Sequence, residues 1–336
     1  YSSTNGTTWV TAADLSTLGI GSTATSLKSI GIFNGSLLVG SGSNGQLFRY
    51  DGSSWTLFGT LTNAVSLRCI AQTVWGSSPS CRVGASGVDS TGAAATGRAS
   101  LVTVTVTPTF NYAENVPFPH IEAVISQNDV IYYAALDDTA GVRGALFRTT
   151  GILVKDLPDN AVSSFAEYQG GLYAGSRTRG KVWTVSGAGL TEKFSIPELA
   201  MVGSPPAYSL PIRALVVDNG RLYAPVYDAQ ALCLYQFDGQ GWIRFATGGA
   251  GTEPRAVAAF NGELYVSNKD ATQGRVYRVA TTYAASGTIT TSWFDADLAG
   301  IVKVLIDLQL VHAALATGES IAVDYALDDA TGEQIR

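Results

Sequence analysis

Three cysteines, two histidines and one methionine are all that this 336-residue chain has of the residues from which metal and redox sites are usually built. The odd cysteine count and the lack of zinc-like spacing exclude a metal site of ordinary type. No GxSxG, HExxH or phosphate-cradling glycine loop is present, so no catalytic set and no cofactor are expected. Charged residues make up only 14% of the chain. Its 21 Lys and Arg are dispersed against 27 Asp and Glu, for a net charge of −6, which argues against a nucleic-acid partner. No apolar run approaches the roughly 20 residues needed to span a bilayer as a helix, so no membrane insertion is expected. An initiator Met and a signal peptide are also missing, and the pattern breaks off at Ile335-Arg336. The chain therefore reads as a window on a longer polypeptide.

What is plentiful is glycine, at 37 residues, and hydrophobic side chains, at 46%. That balance describes a packed, turn-rich protein. At this length folding buries roughly 75% of the unfolded surface, so neither metal nor disulfide is needed to hold the fold. Cys69 and Cys81 flank a predicted tight hairpin centred near Trp75. They read either as a disulfide across two strands or as two small buried residues, and Cys233 has no evident partner.

Self-similarity is the strongest signal. Asn34-Gly35, Asn128-Asp129, Gln169-Gly170, Asn219-Gly220 and Asn261-Gly262 each stand just before an aliphatic residue, namely Leu37, Ile131, Leu172, Leu222 and Leu264. A polar-Gly pair between β-rich runs is the mark of a two-residue hairpin. A third, alternating strand follows in each unit, as in Gln46–Tyr50 and Lys181–Val185, and a fourth is announced by Asp51-Gly-Ser-Ser-Trp55 and Asp238-Gly-Gln-Gly-Trp242. A divergent unit covers about 66–110 and carries a Gly/Ala/Ser-rich segment, 84–97, that reads as a loop. Four short strands every 40–54 residues or so are the length and content of a propeller blade.

The chain is thus predicted to be all-β: a six-bladed β-propeller over 1–284, with blades starting near 26, 65, 119, 161, 211 and 253. Trp9-Val10 reads as an outer strand closing the last blade, and a seventh blade beginning upstream is the alternative. Residues 285–336 read as a linker and the first hairpin of an incomplete β-sandwich, with strands at Ile301–His312 and Ser320–Leu327.

Aligning the units exposes one position. Six residues before each turn stand Lys28, Glu122, Ser163, Arg213 and Arg255, and Arg68 fits the divergent unit. The following residue is always small: Ser29, Cys69, Ala123, Ser164, Ala214 or Ala256. The position opens the innermost strand, so its side chains should form a ring at one mouth of the axis. Lys28, Arg68, Arg213 and Arg255 there make a candidate anion site, since Arg suits a carboxylate or phosphate. The alternative is that they hydrate the funnel, with Glu122 pairing an arginine.

Other features carry less. Tyr132, Tyr173, Tyr223 and Tyr265 recur at a second-strand position and read as core between blades. Trp75 is the aromatic best placed to stack on a carbohydrate. His120 and His312 fall in different predicted domains. Leu136-Asp-Asp-Thr139 and Leu327-Asp-Asp-Ala-Thr-Gly332 are acidic loop tips without the full alternating pattern of a calcium loop. Ser2–Trp9 resembles a sialidase Asp-box but has Thr4 where the Asp belongs. Glu167-Tyr168, adjacent on a strand, cannot supply that chemistry's nucleophile pair.

Thr291-Ser-Trp-Phe-Asp-Ala-Asp-Leu-Ala-Gly-Ile-Val-Lys303 and the following His312–Asp329 are similar to a stretch of tail-associated proteins of long-tailed bacteriophages. In those proteins a propeller of Asn-Gly-x-Leu-Tyr repeats precedes a β-sandwich. The resemblance implies a non-enzymatic virion structural and interaction protein in a tail tip, baseplate or fibre. Its partners would be other virion tail proteins in a homo-oligomeric setting, with host-surface glycan as a further contact. The alternative is a secreted propeller that binds or cleaves anionic glycans at the basic ring.

Overall fold

The computed structural model describes residues 27–75, 78–139, 141–178, 180–187, 189–195, 211–227, 231–250, 253–269, 274–279, 324–325 and 333–334. The chain divides into two compact units, Tyr1–Thr282 and Tyr283–Arg336. The described residues contain strands and turns but no helix.

The first unit is a six-bladed β-propeller. Blade one is β1 (Leu27–Phe33), β2 (Ser36–Ser41), β3 (Gln46–Tyr50) and β4 (Trp55–Thr60). Blade two is β5 (Ser66–Trp75), β6 (Ser78–Val88), β7 (Ala94–Thr105) and β8 (Phe110–Val116). Blade three is β9 (His120–Gln127), β10 (Val130–Asp137), β11 (Arg143–Arg148) and β12 (Ile152–Leu157). Blade four is β13 (Val162–Tyr168), β14 (Gly171–Ser176), β15 (Lys181–Ser186) and β16 (Gly189–Ser195). Blade five is β17 (Val216–Asp218), β18 (Arg221–Tyr227), β19 (Ala231–Phe237) and β20 (Trp242–Ala250). Blade six shows β21 (Glu253–Phe260), β22 (Glu263–Lys269) and β23 (Gly274–Arg278). Each blade is an antiparallel meander in chain order. The expected closing strand at Trp9-Val10 lies outside the described residues. So do Ile301–His312 and most of Ser320–Leu327; from the second unit, β24 (Asp324–Tyr325) pairs antiparallel with β25 (Glu333–Gln334).

The turns between first and second strands follow from their sequence. Both central residues have positive φ in Asn34-Gly35 (48° and 73°), Gln169-Gly170 (49° and 75°), Asn219-Gly220 (46° and 70°) and Asn261-Gly262 (53° and 75°). This is the type I′ geometry whose twist matches that of the flanking strands. Asn128-Asp129 adopts it as well, with Asp129 at 62° without the freedom of a glycine.

The core lies between blades rather than inside any one of them. Phe33, Leu38 and Leu47 of blade one interlock with Cys81, Val83, Val102 and Val104 of blade two. Tyr133 and Phe147 of blade three stack against each other and pack on Leu101 and Val116. Each such side chain removed from water contributes roughly 1.5–3 kcal/mol. Of the recurrent tyrosines, Tyr223 is buried in a seam, while Tyr132 and Tyr265 are half-exposed. Tyr173 packs edge-on to Tyr168 at the seam between blades four and five.

After three of the ring positions the small residue bonds across a seam. Ser29 donates its hydroxyl to Leu67 O in the next blade at 2.9 Å, and Ser164 donates to Ile212 O at 2.7 Å. Cys69 makes the weaker sulfur version to Ile121 O at 3.5 Å. Across the ladder from these three stand Gly40, Gly175 and Gly84. A Cβ on Gly175 would lie 2.5 Å from Ile212 O, and one on Gly84 would lie 2.9 Å from the Ile121 Cβ. Only a glycine there lets the next blade approach.

Two sequence expectations need correction. Segment 84–97 is not a loop: β6 runs to Val88 and β7 resumes at Ala94, joined by a turn capped by Asp89. Gly84 is small because Cys69 and Ile121 of the seam crowd it, not for flexibility. Cys69 and Cys81 are not bonded. Cys69 pairs with Gly84 and Cys81 with Gln72, and the two thiols are free and face different seams. Burial pushes both thiols up to about 12.

Candidate functional site

The ring position turns out to be a β-bulge. Leu27 pairs with Ser41 and Ser29 with Gly40, which leaves Lys28 as an extra residue. In the same way Arg68 is extra between Leu67 and Cys69, Glu122 between Ile121 and Ala123, and Ser163 between Val162 and Ser164. Arg255 is extra between Pro254 and Ala256. Arg213 stands just ahead of β17, next to Ile212, whose amide donates to Ser176 O at 2.8 Å. A bulge leaves one residue out of the ladder and re-aims its side chain. Five innermost strands therefore present one polar side chain each at the same level. Lys28 and Arg255 are exposed, Arg213 is half-buried, and both Arg213 and Arg255 have interaction partners.

The ring members on blades two and three come together. Arg68 Nη1 donates to Glu122 Oε2 at 3.3 Å and lies 3.9 Å from Asp138 Oδ2. The other Glu122 oxygen lies 3.6 Å from Arg177 Nη1, on the turn after β14. His120, two residues before Glu122, places Nε2 at 3.0 Å from Arg68 Nη2 and Nδ1 at 3.0 Å from Ser86 Oγ. Asp138 Oδ1 is 3.6 Å from the same Nε2. Arg68, His120, Glu122 and Arg177 are each exposed by less than a quarter, so their charges interact through a medium much less polar than water.

The tautomer of His120 follows from its neighbours. A guanidinium only donates, so Nε2 must accept from Arg68 and the ring is neutral. Nδ1 then carries the proton and donates it to Ser86 Oγ. Burial, and next the Arg68 charge, hold His120 below the usual imidazole range, against the pull of Asp138, Glu122 and Asp137. Ser86, His120 and Asp138 stand in line, yet they cannot act as a nucleophile set. Ser86 is 2% exposed and receives the imidazole proton where a nucleophile must give one up.

A second polar cluster ties blade two to blade three. Glu114 on β8 accepts from Thr150 N at 2.9 Å, from Gly151 N at 3.1 Å and from the Tyr133 hydroxyl. Burial, and then the bond to Glu114, drive the Tyr133 phenol upward. Arg82 is almost wholly buried, donates to Thr103 Oγ1 and feels the Glu114 charge.

Of the residues singled out from sequence, Trp75 ends β5 opposite Ser78, and its side chain lies outside the described residues. Asp137, in one acidic loop tip, accepts from Thr139 N and Oγ1 at 3.0 and 2.6 Å, closing its own turn. Leu327–Gly332 lies outside the described residues. No cluster of three or more metal-ligating side chains occurs among the described residues. Sequence spacing missed His120, Asp138, Arg177 and Ser86 as members of the site. The one usable signal was that His120 lies two residues from the Glu122 ring position.

No family model matches this chain, and no curated protein matches it. Among solved structures it is similar to a protein described as an oxidoreductase (glucose dehydrogenase) from Thermus thermophilus. The identity is 14%, covering 75% of this chain and 96% of that one, with a TM-score of 0.46. A luciferin-regenerating enzyme is similar at 13% identity over 76% of this chain and 91% of its own, with a TM-score of 0.49. A chain of a mitotic checkpoint complex is similar at 12% identity over 75% and 74%, also with a TM-score of 0.49.

Proposed function

We propose that this chain is a non-enzymatic structural and interaction protein of a bacteriophage tail, in the tip, baseplate or fibre. The observation that carries the reading is the motif run Thr291–Lys303 and His312–Asp329, similar to the segment that leads out of the propeller in tail-associated proteins. The geometry of the ring is consistent with it. Arg68 is tied to Glu122, His120 and Asp138, so its charge orders three strands of the scaffold. In this role the propeller is a rigid platform whose rim meets neighbouring subunits or the host envelope. Peptide mass spectrometry and immunogold labelling of purified phage particles test it. Label on the tail supports the assignment, and absence of the chain from intact particles overturns it.

A second reading, a propeller that binds anionic glycans, is favoured by the exposure of Lys28 and Arg255 at bulge positions. Binding of the purified chain to acidic polysaccharide, lost when Lys28, Arg213 and Arg255 are changed to Ala, would favour it over a purely structural role.

A further inference from the structure

We propose that His120 is a proton-operated latch on Arg68, and that its protonation opens an oxyanion-binding site at the inner rim between blades two and three. The latch is visible in the hydrogen bonds. Arg68 Nη2 needs a lone pair on Nε2, 3.0 Å away, and only the neutral imidazole offers one. Protonation turns Nε2 into a donor and places two cations at that distance. The new N–H has an acceptor waiting, since Asp138 Oδ1 lies 3.6 Å from Nε2. Nδ1 already donates to Ser86 Oγ in the neutral form and keeps that bond. The ring thus passes from Arg68 to Asp138 by a small movement, without losing its second anchor.

The groups facing His120 come from every strand packed against it. Arg68 reaches it from β5, Ser86 from β6 and Glu122 from its own strand β9, while Asp137 and Asp138 approach from the end of β10. Arg177 approaches from the next blade and joins through Glu122. With His120 neutral, Arg68 is held by the imidazole, Glu122 and Asp138. With His120 charged, Asp138 turns to the imidazolium and Arg68 keeps Glu122 alone. Nη2 is then free to donate to a ligand carboxylate or sulfate oxygen, beside a second cation. The bulge at Arg68 makes this rearrangement inexpensive, because that residue is outside the ladder and no strand pairing has to break. The latch is independent of the tail assignment, since it depends only on side chains within blades two to four.

The test uses the full chain with polygalacturonate as the probe, by calorimetry at about pH 5 and about pH 8, where the probe's carboxylates stay charged. One hydrogen bond to a charged group, gained on opening, predicts affinity at least about tenfold higher at the lower pH. His120→Gln offers an uncharged side chain at both pH values and should abolish the pH dependence. Arg68→Ala should remove the acid-induced binding. An equal pH dependence in wild type and His120→Gln would overturn the latch, because general charging of the protein would then explain it. Nitrogen NMR of the imidazole is an independent check that does not need a ligand. A neutral ring protonated on Nδ1 at about pH 8 supports the latch, and one protonated on Nε2 overturns it.

Discussion

Ser164 donates its hydroxyl to the carbonyl of Ile212, 2.7 Å away in the next blade. Gly175, paired with Ser164 across the ladder, has no room for a Cβ because that same carbonyl occupies the space. Together the two residues describe how one blade meets the next. Ser164→Ala removes a buried donor and should cost about 1 kcal/mol. Gly175→Ala forces the seam apart and should cost about 1–3 kcal/mol. Thermal melts of the two variants check the ordering, with the glycine change having the larger effect.

Among the non-glycine residues at positive φ are Asp129 at 62° and Thr150 at 71°. A β-branched residue suffers most from that conformation. Thr150→Gly should therefore raise stability by about 1 kcal/mol, and Asp129→Gly by less, since Asp tolerates this region better. Glu114 accepts from the backbone amide of residue 150, which glycine keeps, so the gain should persist when Glu114 is changed to Ala.

Cys69, Cys81 and Cys233 are all buried, and none of them is in a disulfide. A thiol whose pKa is pushed up to about 12 holds almost no thiolate at neutral pH. Cys69 and Cys81 should resist an aromatic disulfide reagent in the native protein and react at once in denaturant. The intact mass should not change on reduction.

Acid should weaken the fold in two stages. His120 sits below its unfolded value, so the unfolded chain binds the proton first. Its contribution is complete above about pH 6.5 and is lost as pH falls toward the folded value. His120→Gln removes that stage. Asp51, Asp89, Asp137 and Asp238 are also held below the usual carboxylate range by hydrogen bonds within their turns. Their contribution is present above about pH 4 and is lost below it. Melting temperature followed against pH for wild type and His120→Gln separates the two stages.

Local geometry was legible in the sequence, and convergence across blades was not. Asn34-Gly35 and its repeats require positive φ whatever surrounds them, so they mark a hairpin by themselves. The ring position was legible as a recurring place, but the bulge that defines it is a property of two paired strands and has no signature on one. Arg68 and His120 are 52 residues apart and meet only because consecutive blades pack through their innermost strands. Segment 84–97 misled because Gly, Ala and Ser usually mark flexible loops. Here Gly84 is small because Cys69 and Ile121 press against it.

The bulge at the head of the innermost strands has a consequence for how such a rim can change over time. An extra residue takes no rung of its own blade's ladder, so strand pairing does not dictate its side chain, although Arg68, Glu122 and Ser163 each reach a partner in a neighbouring blade. Lys28, Arg68, Glu122, Ser163 and Arg255 already show that cation, anion and hydroxyl are all accepted at one backbone position. The propeller thus carries one side chain per bulge whose type the strand pairing leaves open, and recognition at the rim can be rewritten there together with the partner it meets in the next blade.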